Sequence, residues 1–190
     1  MIKERNIITK PIHGAEIPLE KGYVHVYTGP GKGKTTAALG LGMRAAGAGF
    51  KVHMIQFMKG RRYNEINSIE TLSNFTISQH GRDEFVSKEK PEQIDIDLAK
   101  EGFTHAKDII NNGKYDLVIL DEINVAVDYN LIPLEEVIKL IEGKPEKLEL
   151  VLTGRDAHPE LVKISDLVTE LLEIKHPYQQ GVLARNGIDF

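Results

Sequence analysis

Val24-His25-Val26-Tyr27 runs without a break into Thr28-Gly29-Pro30-Gly31-Lys32-Gly33-Lys34-Thr35-Thr36, and Ala37-Ala38-Leu39 follows. The order is a β-rich run, a glycine-rich turn and a helix-forming run, and each residue type has a physical task. Gly29, Gly31 and Gly33 let the backbone curl with N–H groups inward and no side chain in the path of an anion. A helix starting near Gly33 presents its unpaired N–H groups and positive dipole end to the same point. Lys34 can reach terminal phosphate oxygens, and the Thr35 hydroxyl can ligate Mg²⁺. This is a phosphate-binding loop for a nucleoside triphosphate, ATP with Mg²⁺. Gly29, Pro30, Gly31, Lys32, Gly33, Lys34, Thr35 and Thr36 are the residues expected to hold it. The strict pattern has Gly where Thr28 stands, so the loop is a compact variant.

Working outward, short β-rich runs alternate with helical patterns. Strands are expected at Tyr23–Tyr27, Lys51–Phe57, Phe75–Ser78, Tyr115–Leu120, Leu148–Thr153 and Val168–Ile174. Helices are expected at Lys34–Ala48, Asn64–Leu72, Pro91–Asn112, Leu134–Glu142 and Pro159–Ile164. Leu117–Leu120 and Leu150–Leu152 are unbroken apolar runs, as strands covered on both faces require. Pro91 suits a first helical turn, and Gly113 suits the stop after Asn112. Gln79–Lys90 is polar and reads as a loop. The expected class is α/β, a P-loop NTPase-like (RecA-like), mostly parallel sheet with helices on both faces.

Two further strand ends carry charge. Leu117-Val118-Ile119-Leu120 ends in Asp121-Glu122, and strand C-termini in a parallel sheet share one edge with the phosphate loop. Thr35, Asp121 and Glu122 are therefore the candidate metal ligands. Leu150-Val151-Leu152-Thr153 ends in Gly154-Arg155, and a guanidinium there suits phosphate oxygens. Lys34, Glu122 and Arg155 are the candidate catalytic residues. Gln56 and Lys59, at the end of the second strand, are as apt for a surface role as for the crevice. The seven histidines form no zinc-ligand spacing, and His25 and His53 are expected to be packed in strands.

Composition narrows the class. The 190 residues suit one domain with one sizeable core, here residues 22–190, preceded by an N-terminal arm over 1–21. Net charge is −4, which gives no global field for nucleic acid. There is no cysteine, hence no disulfide framework and no thiolate metal site. Met1–Lys21 lacks the apolar stretch of a signal peptide, and no run reaches the roughly 18 apolar residues of a membrane helix. A cytoplasmic protein without membrane or nucleic-acid partners is expected.

Several blocks together resemble the ATP:corrinoid adenosyltransferases (cob(I)alamin adenosyltransferases) of cobalamin biosynthesis. They are Thr28–Ala38, Gln56-Phe57-Met58-Lys59-Gly60, Leu120-Asp121-Glu122, Leu152-Thr153-Gly154-Arg155, His158, Glu173–Tyr178 and the closing Gly181–Phe190, in order from about Gly22 to the C-terminus. The resemblance implies that reduced cobalt(I) attacks the 5′-carbon of ATP and expels triphosphate. It implies a nucleotide held in the reverse sense to that of ordinary ATPases. It implies a homodimer whose N-terminal arm covers a neighbouring active site, and an electron-donating flavoprotein as partner. Two positions depart from the family. Pro30 stands where many relatives carry Asn, and no Trp is present. Many members place a Phe–Trp pair near the corrinoid's lower face; in the matching region, His80–Phe85, Phe85 is the only aromatic and is the candidate corrinoid contact.

Residue chemistry alone leaves alternatives open. An ordinary P-loop ATPase or kinase predicts ADP as product and a base or water-orienting group at the γ-phosphate. A nucleotide-sensing binding module predicts ATP binding without turnover.

Overall fold

The computed structural model describes residues 19–190. The arm expected over 1–21 therefore lies, but for its last three residues, outside the described residues. Among these the chain forms six strands and six α-helices. The strands are β1 (Val24–Thr28), β2 (Val52–Phe57), β3 (Phe75–His80), β4 (Leu117–Asp121), β5 (Glu149–Thr153) and β6 (Leu167–Glu170). The helices are α1 (Lys34–Gly47), α2 (Asn64–Ile69), α3 (Gln93–Asn111), α4 (Ile123–Asp128), α5 (Leu134–Glu142) and α6 (Pro159–Ile164), and a 3-10 turn covers Pro177–Gln180.

The strand order is β3-β2-β4-β5-β1-β6, and neighbouring strands run parallel throughout. The C-terminal ends of all six strands therefore meet at one edge, which collects the phosphate loop, Asp121-Glu122 and Gly154-Arg155.

Alternation along the strands divides the core in two. Val52 and Met54 of β2, Leu117 and Ile119 of β4 and Val151 of β5 join Ala38 and Ala46 of α1 and Ile69 of α2. Ile55 and Phe57, Val118 and Leu120, and Leu150 and Leu152 face the other way, onto α3, α4, α5 and α6. Leu117–Leu120 and Leu150–Leu152 are at most 2% exposed, as their unbroken apolar runs require.

Several boundaries differ from the sequence expectation; α2 ends at Ile69 rather than Leu72, and β4 begins at Leu117 rather than Tyr115. α3 begins at Gln93 rather than Pro91, because the Asp95 carboxylate accepts from the Glu92 N–H at 3.0 Å and caps the helix there. β3 runs on to His80, taking the first two residues expected in the loop. β6 stops at Glu170 rather than Ile174, since the Leu171 carbonyl turns to accept from Gly31 N at 2.7 Å.

The small residues of α1 also sort themselves. Ala38, Gly42 and Ala46 form the buried stripe, whereas Gly40 and Gly47 face solvent. A Cβ at Gly42 would stand 2.7 Å from Cε1 of Phe75, which is 1% exposed; at Gly40 nothing lies within 4 Å. Gly42→Ala is accordingly expected to lower stability by about 1–3 kcal/mol through overpacking. Gly40→Ala should raise it by about 0.5–1 kcal/mol through helix propensity. Denaturant melts of the two variants read opposite signs; equal signs would contradict this packing.

Candidate active site

The phosphate loop leaves β1 at Thr28 and enters α1 at Lys34, with Gly29 at φ 94° and Gly33 at φ 116°, where glycine is unstrained. A second constraint acts here. A Cβ on Gly29 would lie 2.5 Å from the Leu171 carbonyl oxygen, and one on Gly31 would lie 2.7 Å from it. The glycines thus let the loop rest on the chain leaving β6, and the Gly31 amide is engaged there rather than turned inward.

Lys34 is buried, and its Nζ donates to the carbonyls of Gly29 and Gly31 at 2.8 Å each. Burial pushes its pKa down, while Glu122 and Asp121 oppose the shift. The ammonium thus sits inside the loop's curl, among carbonyls that a phosphate oxygen can replace as its partner.

Asp121, expected among the metal ligands, is 0% exposed, and both its oxygens are engaged by other side chains. Its Oδ1 accepts from Thr35 Oγ1 at 2.9 Å and Thr153 Oγ1 at 2.6 Å; its Oδ2 accepts from Lys59 Nζ at 2.7 Å and Gln56 Nε2 at 3.2 Å. Four partners satisfy most of a carboxylate's accepting capacity. Asp121 thus ties the ends of β2, β4 and β5 to the start of α1, while Thr35 and Glu122 are among the residues that line the cavity.

Glu122 takes φ 64°, left-handed for a non-glycine residue, at a cost of order 1–3 kcal/mol. Its N–H donates to Thr153 Oγ1 at 3.0 Å, which fixes the turn into α4. Burial pushes the Glu122 carboxyl pKa up, Asp121 adds to this, and Lys59, Lys34 and Arg155 pull it back. Arg155 is exposed and lines the same cavity, following Gly154 at φ 133°.

The cavity measures about 930 Å³, at the upper end for ligand sites. Gly31 to Thr36, Lys59, Glu122 and Arg155 line one part, and Phe85, 103% exposed, stands on the Arg82–Val86 wall. Gly29, Pro30 and Asp121 do not line it. The strand histidines are accounted for by packing. His53 is hydrogen-bonded to Thr76 Oγ1 at 2.7 Å and Ser78 Oγ at 3.2 Å, and burial pushes its pKa down to about 4. His25 pairs with Glu149 at 2.6 Å.

Residue-by-residue reading missed two walls. One is the α2 side, with Tyr63 and Asn64, which carries no motif. The other is the C-terminal segment. Lys32 pairs with Asp189 and donates to the Ile188 carbonyl at 3.2 Å. Asn64 Nδ2 donates to Asn186 Oδ1 and the Phe190 carbonyl at 2.7 Å each. The run Gly181–Phe190 was recognisable only as a family block. Among the described residues no group of three or more His, Asp or Glu side chains is placed to hold a metal on its own, and no helix is long and apolar enough to cross a membrane.

Comparison with known proteins gives a consistent result. A family model described as ATP:corrinoid adenosyltransferase BtuR/CobO/CobP matches residues 20–190. The corrinoid adenosyltransferase of Escherichia coli (strain K12) is 38% identical over 173 residues, covering 90% of this chain and 87% of that protein. The corrinoid adenosyltransferase CobA of Salmonella typhimurium (strain LT2) is 36% identical over 178 residues, covering 93% and 89% respectively. The corrinoid adenosyltransferase of Sinorhizobium sp is 35% identical over 178 residues, covering 90% and 81%.

Proposed function

The chain belongs to the ATP:corrinoid adenosyltransferase family, and from that premise we propose that it transfers the 5′-deoxyadenosyl group of ATP to the cobalt(I) of a reduced corrinoid, in adenosylcobalamin biosynthesis or salvage. The cobalt electron pair forms the Co–C bond, the C5′–O bond breaks with its pair leaving on triphosphate, and cobalt(I) becomes cobalt(III). No proton is removed from the nucleophile, so the site needs cations more than a base.

One observation carries this reading: Lys34, Thr35, Glu122 and Arg155 line one cavity together with Phe85, the residue that the family resemblance sets near the corrinoid. Lys34 and Arg155 stabilise the charge that grows on the departing triphosphate. Thr35 and Glu122 both line the cavity and carry oxygen ligands of the kind a hard cation takes, and they would hold Mg²⁺. The ion supplies further neutralisation of the triphosphate when bound. Asp121 acts behind Thr35, fixing its hydroxyl. Phe85, which lines the same cavity, would meet the corrinoid face.

Glu122 favours one other reading. A carboxyl with a raised pKa beside the phosphates is also where an ATPase holds its base. Incubating ATP with and without chemically reduced corrinoid separates the two, since an adenosyltransferase consumes ATP only when the corrinoid is present.

The physiological form proposed is a cytoplasmic homodimer, with residues 1–21 over the partner's site and a flavoprotein supplying electrons. Deleting residues 1–21 should lower adenosylation far more than thermal stability. A truncated protein with full turnover would show that the arm plays no part in the site.

A further inference from the structure

β2 ends at Phe57, and Met58 follows at φ 58°, left-handed for a residue with a side chain. Such backbone is kept only where the surroundings force it, and it gathers at functional positions. The surroundings here are close. Met58 N donates to the His80 carbonyl at 2.9 Å. A Cβ on Gly81 would stand 2.3 Å from Lys59 N, and one on Gly60 would stand 2.5 Å from Arg82 Cα. The segments leaving β2 and β3 are locked backbone to backbone. Arg82 is pinned in turn by Asp95, at 2.7 and 3.0 Å, and by Glu92 at 2.8 Å.

This rigid seat directs Lys59 across the strand edge. Its Nζ lies 2.7 Å from Asp121 Oδ2, 3.4 Å from Thr35 Oγ1 and 5.4 Å from the Tyr63 ring centroid. The side chain is 16% exposed and lines the cavity that Lys34 and Thr35 line. An ammonium carries three N–H donors. Asp121 and Thr35 take two, and the remaining one is available to an anion in the cavity.

We propose that Lys59 is a further triphosphate-binding residue, a second ammonium that holds the phosphates on the Thr35 side while Lys34 holds them from within the loop. This rests on the adenosyltransferase reading, in which the leaving group is an intact triphosphate. Lys34 and Arg155 bring two positive charges to a triphosphate that carries more than two negative ones, and Lys59, 3.4 Å from Thr35 Oγ1, can add another without a loop closing.

Inorganic triphosphate with Mg²⁺, titrated by calorimetry into the intact protein, tests the proposal. Two variants are read beside wild type. Lys59→Gln keeps a donor to Asp121 but bares its charge. The double variant Lys59→Met/Asp121→Asn removes both charges together. Their electrostatic side effects differ, and only the loss of the ammonium is common to them. Both are expected to bind triphosphate at least tenfold more weakly than wild type, with melting temperatures that show a folded protein. Should either folded variant bind as wild type does, Lys59 serves only as the counter-ion of Asp121 and the proposal fails alone. If wild type itself binds no triphosphate, the leaving-group reading falls and takes this proposal with it.

Discussion

Asp121→Ala is expected to destabilise the fold by about 3–5 kcal/mol, because it leaves a largely buried ammonium without its counter-charge. Asp121 is 0% exposed and Lys59 is 16% exposed, so little water can take the place of the carboxylate. The hydroxyls of Thr35 and Thr153 and the Gln56 amide lose their acceptor at the same time. Each unsatisfied buried group adds to the cost. Urea denaturation checks this, and a loss below about 1 kcal/mol would mean that the carboxylate does not organise the strand edge. Substrate binding should fall with stability, since the Thr35 hydroxyl is no longer held.

Lys34→Ala acts differently, on binding more than on folding. Of the two carbonyls that lose a donor, that of Gly31 lies on the open cavity, where water can replace the ammonium, and only that of Gly29 is left away from it. The phosphates have no such substitute. Removing a charge-assisted contact should weaken Mg-ATP binding by more than about 1.5 kcal/mol, beyond tenfold in Kd. Calorimetry on the folded variant gives the answer, and unchanged affinity would remove the phosphate-loop reading.

Much of this architecture was legible in the sequence because it follows from local rules. The six strands and five of the helices announce themselves through apolar runs and turn residues, and the sheet edge then places Lys34, Glu122 and Arg155 together. α4 was not legible. Ile123–Asp128 follows Glu122 at once with no capping side chain, and the helix starts from a left-handed Glu122 that no propensity predicts. Nor could sequence show that Asp121 turns inward. Asp121 and Glu122 are chemically alike, and the end of β4 at Asp121 with the positive φ at Glu122 parts the buried organiser from the acid that lines the cavity. The closing segment was hidden for another reason. Asn186, Asp189 and Phe190 reach Asn64 and Lys32 across more than a hundred residues of chain, a distance over which spacing carries no signal.

Phosphorus NMR of the reaction mixture tests the central claim most directly, because it identifies which bond of ATP has broken. With ATP, Mg²⁺ and chemically reduced corrinoid, intact inorganic triphosphate should appear in equal amount to adenosylated corrinoid. With the corrinoid left out, ATP should persist. In the proposed reaction Lys34 and Arg155, with Mg²⁺ on Thr35 and Glu122, would hold a whole triphosphate and would leave the phosphoanhydride bonds untouched. Accumulation of ADP and phosphate at the same rate with or without reduced corrinoid would make Glu122 a hydrolytic base and contradict adenosyl transfer.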